Sequence, residues 1–259
     1  MAMVIAVANQ KGGVGKSTTV VNLAACLGKK KKKVLCVDMD AQGNATSGFG
    51  IRKKNVEVTT YEVLLGLRRI QDAIIKTEFD NVSLVPATSA LAAADIELIE
   101  VENMQKRMKM QLLTVKDEYD YILLDCPPSL SLIPINALCA CDTVLVPMTC
   151  EYFAMEGLSQ LVESIRLVKQ RYNPDIDIEG ILFTMFDGRL NLTTQVVNEV
   201  KKHFPKKLFN TVIPRNVRIS EAPSFGKPVI YYDKSSRGAE AYTAFADELL
   251  KRHKKAGKK

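Results

Sequence analysis

The sequence predicts a doubly wound α/β fold: a mainly parallel sheet with helices on both faces. Three observations carry that expectation. Short β-branched runs alternate with longer stretches of helical spacing, several strands are apolar on both faces, and a glycine-rich turn separates the first strand from the first helix. Strands are predicted over residues 4–8, 34–38, 82–86, 121–125, 143–147, 179–185, 208–213 and 228–231, and helical spacing runs over 16–28, 90–116, 154–172, 192–204 and 238–253. Tyr121-Ile122-Leu123-Leu124 is apolar at every position, as a strand covered by helices on both sides requires. No Gly/Ser-rich linker, repeat or low-complexity segment divides the 259 residues, so a single domain over 1–259 is expected, with about 251–259 forming a basic, frayed tail.

Composition narrows the classes. Apolar residues make up 47% of the chain, enough for a sizeable core. No apolar run approaches the roughly 18 residues of a membrane span, and no basic leader precedes an apolar stretch at the N-terminus, so neither a spanning protein nor a secretory signal is expected. The six cysteines contain no CxxC pair and sit among apolar neighbours, which suits buried, reduced thiols in the cytoplasm. The net charge of +7 is concentrated in the lysine run 29–33 and in the tail, leaving the remainder net negative. Such runs are usually solvated surface; they suit an acidic polymer without establishing one. The tail has too few apolar residues for a membrane-embedding face, so no membrane partner is expected.

The chemistry begins in Lys11-Gly12-Gly13-Val14-Gly15-Lys16-Ser17-Thr18, between the first strand and the first helix. Gly12, Gly13 and Gly15 let the backbone curl until its N–H groups converge on phosphate oxygens, and the helix N-terminus adds its positive dipole end. Lys16 is placed to reach the β- and γ-phosphates, Ser17 to offer its hydroxyl to magnesium, and Thr18 to lie on the α-phosphate side. The common pattern of a phosphate loop has a further glycine where this chain has Gln10; in return it carries an extra lysine, Lys11. Asp125 ends the apolar strand 121–125 and suits the magnesium shell, through water. Asp38 and Asp40 stand at the end of another strand. That segment either caps the following helix or flanks the nucleotide, with Asp40 orienting the attacking water and Asp38 supporting the magnesium shell.

With these motifs the chain resembles the ParA/MinD family of deviant Walker ATPases, and most closely its Soj-type partition branch. The resemblance spans essentially the whole chain, anchored at 11–18, 37–46, 124–129, 183–192 and the long segment 213–229. It implies an ATP- and magnesium-dependent homodimer with two nucleotides between facing protomers. In it Lys11 crosses to the other subunit's nucleotide, as an arginine finger does, and Gly12 sits at the crowded interface. Pro214 and Asn216 are carried over as nucleotide contacts, so the full nucleotide-binding set is Lys11, Gly12, Gly13, Val14, Gly15, Lys16, Ser17, Thr18, Pro214 and Asn216, with Lys11, Lys16 and Asp40 catalytic. Arg189 and Arg218 match the family's DNA-contacting arginines, which implies sequence-independent binding of double-stranded DNA through phosphates. The expected protein partner is a ParB-type centromere-binding protein that stimulates slow hydrolysis, and the expected place is the nucleoid within the cytoplasm.

Other readings use the same loop. A MinD-like positioning switch needs a C-terminal amphipathic membrane helix. An iron–sulfur reductase needs cysteines shared across a dimer axis, for which Cys126 alone is offered. A metabolic ligase or kinase needs a small-molecule pocket with a motif of its own. A nucleotide-binding protein that does not hydrolyse ATP is argued against by Lys11, Asp40 and Asp125 together. With the first strand at Val4, no N-terminal helix-turn-helix is expected.

Overall fold

The structure is a computed structural model that describes residues 1–129 and 131–256. In chain order its strands are β1 (Met3–Val7), β2 (Val34–Asp38), β3 (Ile75–Lys76), β4 (Val82–Val85), β5 (Tyr121–Asp125), β6 (Thr143–Thr149) and β7 (Asp177–Thr184). The helices are α1 (Lys16–Lys29), α2 (Asn44–Gly48), α3 (Thr60–Leu65), α4 (Ile70–Ala73), α5 (Leu91–Glu97), α6 (Arg107–Leu113), α7 (Leu132–Ala140), α8 (Ala154–Arg171), α9 (Asn191–His203), α10 (Val217–Glu221), α11 (Val229–Tyr232) and α12 (Arg237–Ala256). The strands form one sheet in the order β3-β4-β2-β5-β1-β6-β7. Every neighbouring pair is parallel except the β3–β4 edge.

The two-sided apolar strands explain the layers. Val4 and Ala6 of β1, Leu35 and Val37 of β2, and Ile122 and Leu124 of β5 enter one core; α3 to α9 cover it with residues such as Leu64, Leu91, Ala137 and Leu158. Ile5, Val7, Val34, Cys36 and Leu123 enter the other, covered by α1, α2, α11 and α12. Successive strand residues point to opposite faces, so an unbroken apolar run feeds both cores. In α8 the buried positions Leu158, Leu161, Ile165 and Val168 recur at helical spacing on one stripe.

The structure departs from the sequence expectation at four places. Residues 208–213 run beside β7 but form only isolated bridges, Ile181 with Leu208 and Phe186 with Pro214. Between them Glu248 of α12 accepts the amides of Asn210 (2.9 Å) and Thr211 (2.8 Å), which removes the middle of the ladder. Residues 228–231, read as a strand from Val-Ile-Tyr-Tyr, lie mostly in the short helix α11, which follows Pro228. The helical stretch 90–116 breaks between α5 and α6, where Asn103 takes a left-handed φ of 55°. The tail is not frayed as far as Ala256: α12 continues there, Arg252 donates to Leu208 O and to Glu248 (2.7 Å), and His253 joins Tyr121 and Glu179, both at 3.0 Å. Residues 257–259 lie outside the described residues.

Candidate functional site

The phosphate loop leaves the C-terminal end of β1, in the middle of the sheet, where a doubly wound fold opens its crevice. Gly13 and Gly15 hold φ values of 71° and 83°, a region that L side chains adopt only under strain. Gly12 is different. Its φ is not left-handed, and no atom stands within 4 Å of where its Cβ would be. Two contacts pin the loop to neighbouring strands: Thr184 Oγ1 at the end of β7 donates to Val14 O (2.8 Å), and the buried Asn9 accepts from Lys11 N (3.0 Å) while donating to Pro147 O (2.8 Å).

The loop's two lysines face different surroundings. Lys16 is buried and donates to Lys11 O at 3.0 Å. Burial pulls its pKa down, and the carboxylates of Asp125 and Asp40 oppose that pull. Gly12, Gly13, Lys16, Ser17 and Thr18 line a cleft of about 670 Å³ together with Asp40. Lys11 does not line this cleft. It faces a separate groove beside Phe153, Glu156 and Gly157, and its ammonium pairs with the Glu151 carboxylate.

The carboxylates divide as clearly. Asp38 and Asp125 are register partners at the ends of β2 and β5, and both are fully buried. Asp38 accepts from Thr46 N (2.8 Å), Thr46 Oγ1 (2.6 Å) and Asp40 N (3.2 Å), so its oxygens hold the Asp40–Thr46 turn. Burial pushes its pKa up to about 6, against those hydrogen bonds. Asp125 has both oxygens buried without a hydrogen-bond partner. Its pKa is pushed well above the usual range, first by burial and then by the charge of Asp38; the nearby Ser17 hydroxyl and the Lys16 ammonium pull the other way without a hydrogen bond of full geometry. Asp40 accepts from Gln42 N at 2.9 Å within its own turn.

Pro214 and Asn216 line an adjoining cavity of about 310 Å³ that shares Gly15 and Thr18 with the phosphate loop. Asn216 Oδ1 is buried there without a partner. At its edge Met185 adopts a φ of 49°, uncommon for a side-chain-bearing residue. The bridge between Phe186 and Pro214 sets the loop bearing Arg189 beside the one bearing Arg218. Both arginines are exposed and already matched. Arg189 forks onto Asp187 at 2.8 and 2.6 Å, and Arg218 pairs with Glu221 (2.8 Å) and Asp233 (3.3 Å).

The lysine run 29–33 lies at the opposite end of the sheet, after α1 and before β2, and is largely neutralised. Lys29 pairs with Asp80, Lys30 with Asp247 and Lys32 with Asp120. All six cysteines are free, and burial pushes the Cys126 thiol pKa far up. Sequence reasoning missed Glu151 and Asn9 as parts of the site, and it gave no role to Thr46 and Thr184, which lie within the anchors 37–46 and 183–192. Each acts through a contact distant in sequence or through a turn geometry, which no run of consecutive residues spells out.

A central parallel strand, a phosphate loop opening a helix and two carboxylates at adjacent strand ends define a P-loop nucleotide-binding protein. A family profile described as AAA domain matches residues 2–178. Sporulation initiation inhibitor protein Soj of Bacillus subtilis (strain 168) is 55% identical over 96% of this chain and 98% of its own length. Chromosome partitioning protein ParA of Myxococcus xanthus is 53% identical over 96% of this chain and 88% of its own. Among solved structures, cobyrinic acid a,c-diamide synthase of Mycobacterium smegmatis, with bound ATP analogue and magnesium, superposes with a TM-score of 0.86 at 35% identity, covering 99% of this chain and 97% of that one. The chain belongs to the ParA/MinD family of deviant Walker ATPases, in its Soj-type partition branch.

Proposed function

We propose that the chain is an ATP-driven switch that closes into a homodimer around two nucleotides, binds double-stranded DNA without reading its sequence in that state, and hydrolyses ATP slowly until a ParB-type partner stimulates it. The observation that carries this reading is the division of labour between the two lysines. Lys16 serves its own cleft, while Lys11 stands outside it, facing a separate groove. A cation so placed suits another subunit's phosphates, where it would neutralise charge developing during transfer and couple assembly to catalysis. Gly12 supports the same reading, since nothing among the described residues of its own chain requires a glycine there.

The donor chemistry fits magnesium. Asp125 offers two unpartnered, buried carboxylate oxygens beside Ser17. Ser17 directly and Asp125 through water would hold the ion, which neutralises the β- and γ-phosphates when bound. Asp38 keeps the Asp40 turn in place rather than meeting the ion itself. Asp40 is the water-orienting carboxylate, and its hydrogen bond to Gln42 N holds it in its own turn, which suits a slow basal rate. Pro214 and Asn216, which line the adjoining cavity, form the base side.

Arg189 and Arg218 are both exposed, on loops that the Phe186–Pro214 bridge sets side by side, so dimerisation would present two such pairs at once, and avidity for DNA would fall when hydrolysis splits the dimer. A MinD-like membrane role fits less well. The apolar stripe of α12, Ala239 to Leu249, is already buried in the second core, where the helix packs on α1, and no helix among the described residues is long and apolar enough to cross a membrane. The deciding experiment is retardation of random-sequence DNA with ATP, ADP or no nucleotide across a salt series. ATP-dependent binding that weakens steeply with salt is the expected result; binding indifferent to nucleotide would sink the switch.

A further inference from the structure

The corner between β6 and α8 does more than connect two elements. It carries Glu151, whose carboxylate pairs with the Lys11 ammonium from 140 residues away in sequence. The two partners are held towards one another by backbone. Asn9 fixes Lys11 N (3.0 Å) and, through Pro147 O (2.8 Å), the strand that ends beside Glu151. The first turns of α8 pass close to the loop at Gly157, where a Cβ would make ordinary contacts of 3.8 Å to Lys11 Cβ and 3.5 Å to Asn9 Oδ1. The Glu151 carboxyl is held below its usual range, first by the hydrogen bond from Lys11.

From this geometry we infer that Glu151 is a positioning residue for Lys11: in the single protomer it parks the trans-acting ammonium against its own chain and surrenders it to the partner's nucleotide phosphate on dimerisation. The inference rests on the dimer reading above and adds the state from which Lys11 departs. Each closure exchanges one anion for another at the same cation, and the Glu151 carboxylate competes with the phosphate. The Lys11 side chain is 31% exposed and that of Glu151 55%, so the pair is weak enough to open. It therefore sets a modest threshold for dimerisation without blocking it. Tyr152 and Phe153, which follow Glu151, are both largely exposed and meet edge to face beside this groove, so the opened corner also offers apolar surface.

Two measurements test the latch. In the nucleotide-free chain, reductive methylation followed by mass spectrometry reads Lys11 directly. Glu151→Gln should raise the modification rate at Lys11 by about threefold, and equal rates in the two chains would overturn the latch. Sedimentation of the Asp40→Ala chain with ATP reads the consequence. Adding Glu151→Gln should tighten the dimer by about threefold, and should change nothing once Lys11→Ala is also present. A dimer unchanged or weakened by Glu151→Gln in the chain that keeps Lys11 would make Glu151 something other than a competitor and end the proposal. Should Asp40→Ala itself stay monomeric with ATP, the dimer reading falls, while methylation still decides whether the intrachain pair exists.

Discussion

At the scale of single residues, the site is organised by which polar atoms are matched and which are not. Lys16 is the buried cation of the cleft, hydrogen-bonded to a loop carbonyl and drawn on by the charges of Asp125 and Asp40. Lys16→Ala should lower ATP affinity at least about 100-fold in calorimetry, since a charge-assisted contact in a desolvated site is lost; tight binding would contradict the assignment. Arg189 is the converse case, because Asp187 already occupies its fork and is itself driven down to about 2, first by the Arg189 side chain. On the proposed DNA-binding reading, phosphate would have to displace that carboxylate before Arg189 could contact DNA. Asp187→Ala is therefore expected to strengthen ATP-dependent DNA binding by a few fold, whereas Arg189→Glu should weaken it while sparing dimerisation. A gel titration of both variants at one salt concentration checks the pair, and unchanged binding in each would remove Arg189 from the interface.

Among elements, the lip of the nucleotide cleft is held by a crossing of two loops. Gly50, after α2, and Gly226, before α11, take φ values of 74° and 62°. A Cβ on Gly226 would stand 2.5 Å from Gly50 Cα, so the backbones meet where no side chain fits. The strand-like spelling of residues 228–231 hid this arrangement. Val229 N is taken by Asn22 Oδ1 of α1 at 2.6 Å, and a helical turn after Pro228 satisfies the neighbouring amides better than an edge strand would. Gly226→Ala should cost about 1–3 kcal/mol in a urea titration through left-handed strain and overlap. ATP affinity should fall with it, because Pro223 and Lys227 on the same segment line the cleft. Full stability in that variant would show that the crossing yields.

For the whole molecule, the buried acids are a standing cost to stability at neutral pH. Asp38 and Asp125 have pKa values raised above those of an unfolded chain, mainly by burial. The stability tied to such a group is fully present below the unfolded value and is lost as pH rises through the folded one. For Asp38 that window runs from about 4 to about 6, so the loss is complete at pH 7.5. Asp125→Asn removes the ionisation without changing shape. It should raise the melting temperature of the nucleotide-free protein at pH 7.5 by about 3–6 °C, with a smaller gain at pH 5. A variant that melts at or below the wild type at pH 7.5 would mean that Asp125 is already stabilised by its surroundings. The same substitution should impair magnesium-dependent hydrolysis, so stability and activity move in opposite directions.

How much was legible beforehand follows from the range of each interaction. The alternation of strands and helices, the two-sided apolar runs and the phosphate loop are local, set by backbone preference and by a motif spelled in consecutive residues. They carried the α/β class and the family by themselves. The edge segment 208–213 and the turn at 228–231 could not be read that way, because Glu248 and Asn22 captured their amides from distant helices. The Asp38 and Asp125 carboxylates look alike in sequence, each closing an apolar strand; only folding showed that Thr46 answers one and leaves the other unpaired. Lys11 follows the same rule. Its place in the loop was written in the sequence, but its pairing with Glu151 was decided by tertiary structure, since ion pairs form between charges that the fold brings within reach, whatever their separation along the chain.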